Sequence, residues 1–240
     1  MNIRRGNRQY AEAERTDGAG GATLGQRSVL GEDGPAKRGT MALDTAELAH
    51  GLFRILETGD ADLALDVVAQ DNYNREASVA PPACAIAGPA GTLASGAWLR
   101  SAFSDLCFPI LGIARNDNQV WVRLRMQGRH TGPFVRFRDG ALDQAIPPTG
   151  REIDVEQVHV LDVRDGQVVR HEALRDDIGM LGQLGVFPPT PAIALRMLAW
   201  RLSGRAARAA AHVASLAADA AASLADTSRP GGHPTAAAPL

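Results

Sequence analysis

The sequence predicts an α+β domain, and three observations carry that prediction. Apolar residues recur at helical spacing early in the chain, over Thr45–Glu57 and again over Ser95–Phe103. They then alternate at period two over Val120–Gln127 and Ile153–Val163. An Asp-Gly pair at Asp165-Gly166 joins the last alternating stretch to a returning one, which is a hairpin signal. Helices followed by antiparallel strands give an α+β layer arrangement rather than a doubly wound sheet.

Each element has its own warrant. Leu48, Leu52 and Ile55/Leu56 share one face of the first helix. Asp44 or Thr45 can cap it, with Glu47 or Leu48 in the first turn, and Gly59-Asp60 ends it. Asp62–Val68 reads as a second short helix, apolar at Leu63, Leu65, Val67 and Val68, and the third carries Trp98, Leu99 and Phe103. Val120, Val122, Leu124 and Met126 then alternate with Trp121, Arg123, Arg125 and Gln127, a strand with one covered and one wet face. On the next strand the same parity puts Gln157 and His159 among Ile153, Val155, Leu161 and Val163. On the returning strand, Gln167–Leu174, His171 shares a side with Val169, Ala173 and Arg175. Buried polar groups need partners. Polar groups two residues apart on an apolar sheet face suit either satisfied core histidines or a cavity for a ring-shaped organic ligand.

Composition narrows the function. The 240 residues are 45% hydrophobic, 22% charged and 5% aromatic, with a net charge of −2. That total divides into +2 over residues 1–40, −7 over 41–189 and +3 over 190–240. An acidic core has the wrong sign for tracking phosphates, so nucleic acid is not an expected partner. Residues 1–40 read as a disordered leader with Met41 as a candidate native start, and 41–189 as the folded domain. Residues 190–226 read as an Ala/Arg-rich helix and 227–240 as a disordered tail. On that helix Leu195, Leu198, Leu202, Ala209, Val213, Leu216 and Ala220 share a face, while Arg196, Arg201, Arg205 and Arg208 scatter round the wheel. A solvated or self-associating helix is favoured over contact with an anionic membrane. No stretch reaches the ~20 apolar residues of a membrane span.

Cys84 and Cys107 lack CxxC spacing and any secretory signal, which suggests free thiols in the cytoplasm. His130, His159 and His171 lie on separate segments without HxH or HExxH spacing, so no metal site is expected. No GxSxG nucleophile motif is present either.

Several stretches, in order over roughly residues 41–187, carry a resemblance. They are Asp71-Asn-Tyr-Asn74, Ala102-Phe-Ser-Asp-Leu106, Gly128-Arg-His-Thr-Gly-Pro-Phe134, Ile146-Pro-Pro-Thr-Gly-Arg151, Glu156-Gln-Val-His159, the Asp165-Gly166 turn and Asp177-Ile-Gly-Met-Leu-Gly-Gln-Leu-Gly185. The chain resembles the SnoaL-like polyketide cyclases, or ester cyclases, of the nuclear-transport-factor-2-like superfamily. The resemblance implies a cone: a bent antiparallel sheet wrapped by N-terminal helices around a deep apolar cavity. It implies a homodimer or larger oligomer, and an apolar, aromatic carbonyl compound as ligand. It also implies an intramolecular aldol condensation without metal or cofactor, driven by an acid/base carboxylate, or the chemistry of a related isomerase or hydroxylase.

That resemblance organises the candidate residues. In the family's characterised cyclases the acid/base Asp stands two residues after the histidine matching His171, and here that position is Ala173. The catalytic candidates are therefore His159, as general base, and His171, with Asp176 as a replacement carboxylate. Gln157, Arg175, Met126 and Trp98 are candidates for binding substrate, Gln157 at the carbonyl oxygen and Arg175 against developing negative charge. Val135–Ala145 is longer than the family's usual linker, which suggests a lid at the cavity mouth or an inert surface loop. A module of the same fold that binds without catalysing is the alternative, and Ala173 favours it.

Overall fold

The computed structural model describes residues 44–227. The leader expected over 1–40, the start at Met41 and nearly all of the tail expected over 227–240 lie outside those residues.

Helix α1 spans Thr45–Thr58, and the Asp44 carboxylate accepts the Glu47 N–H at 2.7 Å while Glu47 reaches back to Asp44 N at 2.9 Å. This reciprocal pair satisfies two of the helix's free donors. Gly59, at φ 78°, closes the helix in the left-handed conformation that glycine adopts without strain. Helix α2 (Ala61–Val67) runs directly into strand β1 (Val68–Asn74). Helix α3 begins earlier than its apolar spacing suggested, at Pro89, and ends at Ala102. Proline suits a first helical turn because the N–H it lacks has no intrahelical acceptor there. Arg100 of α3 donates to the terminal carbonyls of α1, at 2.6 Å from Leu56 O. At Gly96 a Cβ would stand 3.1 Å from the Leu56 backbone, so glycine lets these two helices approach.

The main sheet runs β1-β8-β7-β4-β2, with β3 also on β4. Its other strands are β2 (Phe103–Cys107), β3 (Ile110–Asn116), β4 (Gln119–His130), β7 (Glu152–Arg164) and β8 (Gln167–Arg175). The β7–β8 turn takes Asp165 and Gly166 through φ 52° and 76°, as an Asp-Gly hairpin requires. The α+β class stands, and the sheet is antiparallel except at one edge: β1 pairs parallel to β8. The sequence parity also holds. Val120, Val122, Leu124 and Met126 are buried inside, opposite Leu161, His159, Gln157 and Val155. Arg123–Glu156 and Arg125–Asp154 pair on the solvent face, each at 2.5 Å.

Two expectations are corrected. Val135–Ala145 is neither lid nor inert loop. It forms most of a hairpin, β5 (Phe134–Arg138) and β6 (Ala141–Ile146), turned by Asp139-Gly140. Phe134, Val135, Phe137 and Ile146 are buried in the core, and Val135 O accepts the Trp98 indole N–H at 2.9 Å. Phe137→Ala is accordingly expected to lower the unfolding free energy by about 3–5 kcal/mol. A urea melt measures this, and an unchanged midpoint would return the hairpin to the status of a surface loop.

The C-terminal segment is two helices rather than one. After α4 (Asp177–Gln183) come α5 (Pro191–Leu202) and α6 (Arg205–Thr227), broken at Ser203-Gly204 with Gly204 at φ 69°. Helix α6 packs along α3. The buried stripe is Ala206, Ala210, Val213 and Ala217, while Leu195, Leu198 and Leu202 stay exposed. Small side chains let two helices close together, where leucines would hold them apart. The expected leucine-led face therefore does not form. Helix α6 is instead covered on its apolar side by this chain, which leaves that side unavailable to a membrane. Among the described residues no helix is long and apolar enough to cross one.

Candidate functional site

The concave face of the sheet closes over an apolar cavity under α1 and α3. The inner part is a narrow cleft of about 60 Å³, open on one side. Its walls include Leu52 and Leu56 of α1, Trp98 and Leu99 of α3, and Phe108 and Met126 of the sheet side. An outer part continues toward Phe134, Arg136, Asp177 and Met180, and the two parts share Trp98, Leu99, Met126, Gln157 and Arg175.

Polar groups collect at the inner end. Gln157, His159 and His171 are 5%, 4% and 7% exposed. Strand register explains their meeting, since His159 stands opposite Ala173 and His171 stands opposite Leu161, which makes the two histidines diagonal neighbours. His159 Nδ1 lies 2.7 Å from His171 Nε2, and His159 Nε2 lies 2.9 Å from Gln157 Oε1. The Gln157 amide nitrogen reaches Met126 Sδ at 3.6 Å. The Phe53 and His159 rings meet in a T-shaped pair, with centroids 4.9 Å apart.

This chain has a direction. The amide oxygen of Gln157 can only accept, so His159 Nε2 carries hydrogen. A neutral His159 then accepts at Nδ1, and His171 donates from Nε2. The free lone pair of the pair consequently sits on His171 Nδ1 rather than on His159. Burial, followed by the adjacent His171 and Arg175, holds His159 well below the usual histidine range. Burial, followed by Arg175, pushes His171 down to about 4. Both rings are neutral at pH 7. His130, fully buried at the end of β4 and bonded to Thr149 through Nδ1, is also pushed down to about 4 by burial.

Stability should therefore depend on pH. Between pH 6.5 and 4 the unfolded chain binds protons on these rings that the folded protein refuses. Stability is complete above pH 6.5 and falls as the pH drops through that window. A ring moved from 6.5 to about 4 costs about 3 kcal/mol at pH 4, for His130 and for His171 alike. Urea melts from pH 7.5 to 4.5 should show a steadily falling midpoint, and a flat profile would mean that the folded protein protonates these rings.

The structure brings Gln157, His159, His171, Arg175, Met126 and Trp98 to one cavity. It does not bring Asp176 there. The Asp176 carboxylate accepts the Gly179 N–H at 2.7 Å and caps α4 at the surface. A carboxylate serving free N–H groups at a helix start is well placed as a cap and turned away from the sheet. Sequence reasoning missed a different carboxylate, Glu76. It follows β1 in a short 3-10 turn, Arg75–Val79, whose N-cap is Asn74. Its Oε1 accepts the Ala173 N–H at 2.9 Å and its Oε2 lies 3.1 Å from Arg175 Nη2. The only signal was its place two residues after the Asp71–Asn74 stretch. The parallel pairing of β1 with β8, which carries Glu76 to the site, leaves no local trace in sequence. Among the described residues no group of three or more His, Cys, Asp or Glu side chains is arranged to hold a metal ion.

Residues 46–184 match the family described as SnoaL-like polyketide cyclase. The chain belongs to this family. The aklanonic acid methyl ester cyclase DauD of Streptomyces sp. (strain C5) is 30% identical over 147 residues, covering 60% of this chain and 84% of DauD. DnrD of Streptomyces peucetius, also an aklanonic acid methyl ester cyclase, is 30% identical over 147 residues, covering 60% of this chain and 93% of its own. Among solved structures, TsrD of Streptomyces laurentii is 22% identical and superposes with a TM-score of 0.49 over 60% of this chain and 99% of its own. The matched region of the SnoaL-like domain ends at residue 184, before α5 and α6.

Proposed function

We propose that this SnoaL-like protein closes a ring in an apolar, aromatic polyketide ester by intramolecular aldol addition, using acid–base chemistry without a cofactor. The observation that carries this reading is the directed His171–His159–Gln157 chain at the inner end of an apolar cavity. A flat aromatic ligand would lie between Trp98, Leu99 and the sheet with its carbonyl end toward that chain. The Gln157 amide N–H, whose partner is only the weak acceptor Met126 Sδ, would turn to the substrate oxygen. Arg175, 26% exposed and on the same face, would offset negative charge that develops on that oxygen. His171 Nδ1 and the ring of His159 behind it form the site's proton-sharing pair. Glu76 and Asp177 already flank the Arg175 guanidinium, so a neutral ester suits the cavity better than a free acid.

The test is direct. Purified protein is mixed with an anthraquinone bearing a 3-oxo methyl ester side chain, and the product is followed by chromatography and mass. Ring closure by aldol addition gives an isomer of unchanged mass with a new retention time. Conversion no faster than in buffer would end this reading. One observation, Ala173 beside His159, favours a second reading in which the cavity holds an apolar ligand without turning it over. A ligand retained in native mass spectra, together with no conversion, would select it.

A further inference from the structure

We infer that Glu76 is the base that takes the carbon-bound proton in this cavity. The inference rests on the ring-closing reading and deepens it. Among the described residues, Glu76 is the one carboxylate lining the inner part of the cavity with His159 and His171. Its side chain is 18% exposed. It arrives from an element far in sequence from the hairpin that holds both histidines.

The sheet edge explains how it gets there. Backbone pairing of β1 with β8 ends at Asn74, opposite His171. Two residues further along β8, the Ala173 N–H meets the Glu76 side chain instead of a strand. Ala173 is paired with His159 of β7, and its side chain is a single methyl group. One oxygen of Glu76 holds the Ala173 N–H and the other meets Arg175, so each keeps lone-pair capacity for a substrate proton. The histidine chain, by contrast, is internally bonded and leaves a single free lone pair, on His171. Asp176 caps α4 and Asp177 lines only the outer part.

The step balances. Glu76 takes a proton from a carbon flanked by two carbonyl groups, and the C–H electron pair becomes an enolate. The enolate carbon bonds to the ketone carbon, and the π pair of that carbonyl moves to its oxygen. The resulting alkoxide takes the proton back from Glu76. One C–C bond forms, one C–H becomes one O–H, and no oxidant or reductant is consumed.

Glu76→Gln tests this with two readouts on the same anthraquinone ketoester: ring closure, and deuterium uptake at the acidic carbon in D₂O above the buffer rate. Glutamine keeps an oxygen for the Ala173 N–H but cannot take the proton. Both rates are expected to fall at least ~10²-fold while the melting temperature stays within a few degrees. Adding Ala173→Asp to that variant restores a carboxylate opposite His159 and is expected to recover at least ~10-fold, more than the same substitution gains beside an intact Glu76. If wild-type protein is active and Glu76→Gln stays within twofold of it on both readouts, the assignment of Glu76 fails and the ring-closing function stands. If wild-type protein shows neither reaction, the function fails and the assignment goes with it.

Discussion

In His159→Gln, ring closure is expected to slow by about 10²-fold with the fold intact. The imidazole of His159 does two things at once. It donates to Gln157 Oε1 at 2.9 Å, which fixes the orientation of that amide, and it accepts from His171 at 2.7 Å through a conjugated ring. Glutamine offers a donor and an acceptor too, but no titratable ring nitrogen that can share a proton with His171. The loss should lie in kcat rather than KM, because apolar walls supply most of the ligand's contact surface and the chain acts on charge that forms during reaction. Gln157→Leu should show the same pattern more weakly, since it removes an oxygen contact and leaves both rings. Steady-state rates on the ketoester decide the matter, and a His159→Gln enzyme with wild-type kcat would remove the chain from the chemistry.

Val213→Asp is expected to cost about 3–5 kcal/mol of stability, or roughly 10 °C in melting temperature for a domain of this size. Val213 is fully buried where α6 lies on α3, between Ala210 and Ala217. A carboxylate there has no cation to pair with among the stripe's alanines, so it must either ionise without solvent or stay protonated at a cost. The consequence should reach the site, because α3 carries Trp98, Leu99 and Ser95 of the cavity wall. Calorimetry gives the melting temperature. If the variant melts with the wild type, α6 is a peripheral appendage, as the Ala/Arg composition first suggested.

The central part of the fold was legible for a simple reason. Where one side of an element is wet and the other dry, side-chain periodicity records the backbone geometry. The alternation along Ile153–Val163 and the parity of the returning strand therefore put Gln157, His159, His171 and Arg175 on the inward face. Strands lacking that contrast stayed hidden. β3 (Ile110–Asn116) buries no residue fully, and β2 (Phe103–Cys107) follows α3 with no punctuating glycine or proline. The α6 face misled for a related reason. Periodicity weighs leucine above alanine, but close helix packing selected Ala206, Ala210 and Ala217.

By itself the sequence determined the α+β class, the hairpin at Asp165-Gly166 and the inward set of one glutamine and two histidines. Local spacing and alternation encode these, and so does the family that residues 46–184 match. Only the tertiary structure decided which carboxylate shares the cavity. Asp176, three residues past Ala173, was drawn off to cap α4 through the Gly179 N–H. Glu76, almost a hundred positions from Ala173, was carried to it by the parallel pairing of β1 with β8. Pairing between distant strands depends on chain closure and on packing of the whole sheet, and neither is written in the residues around Glu76.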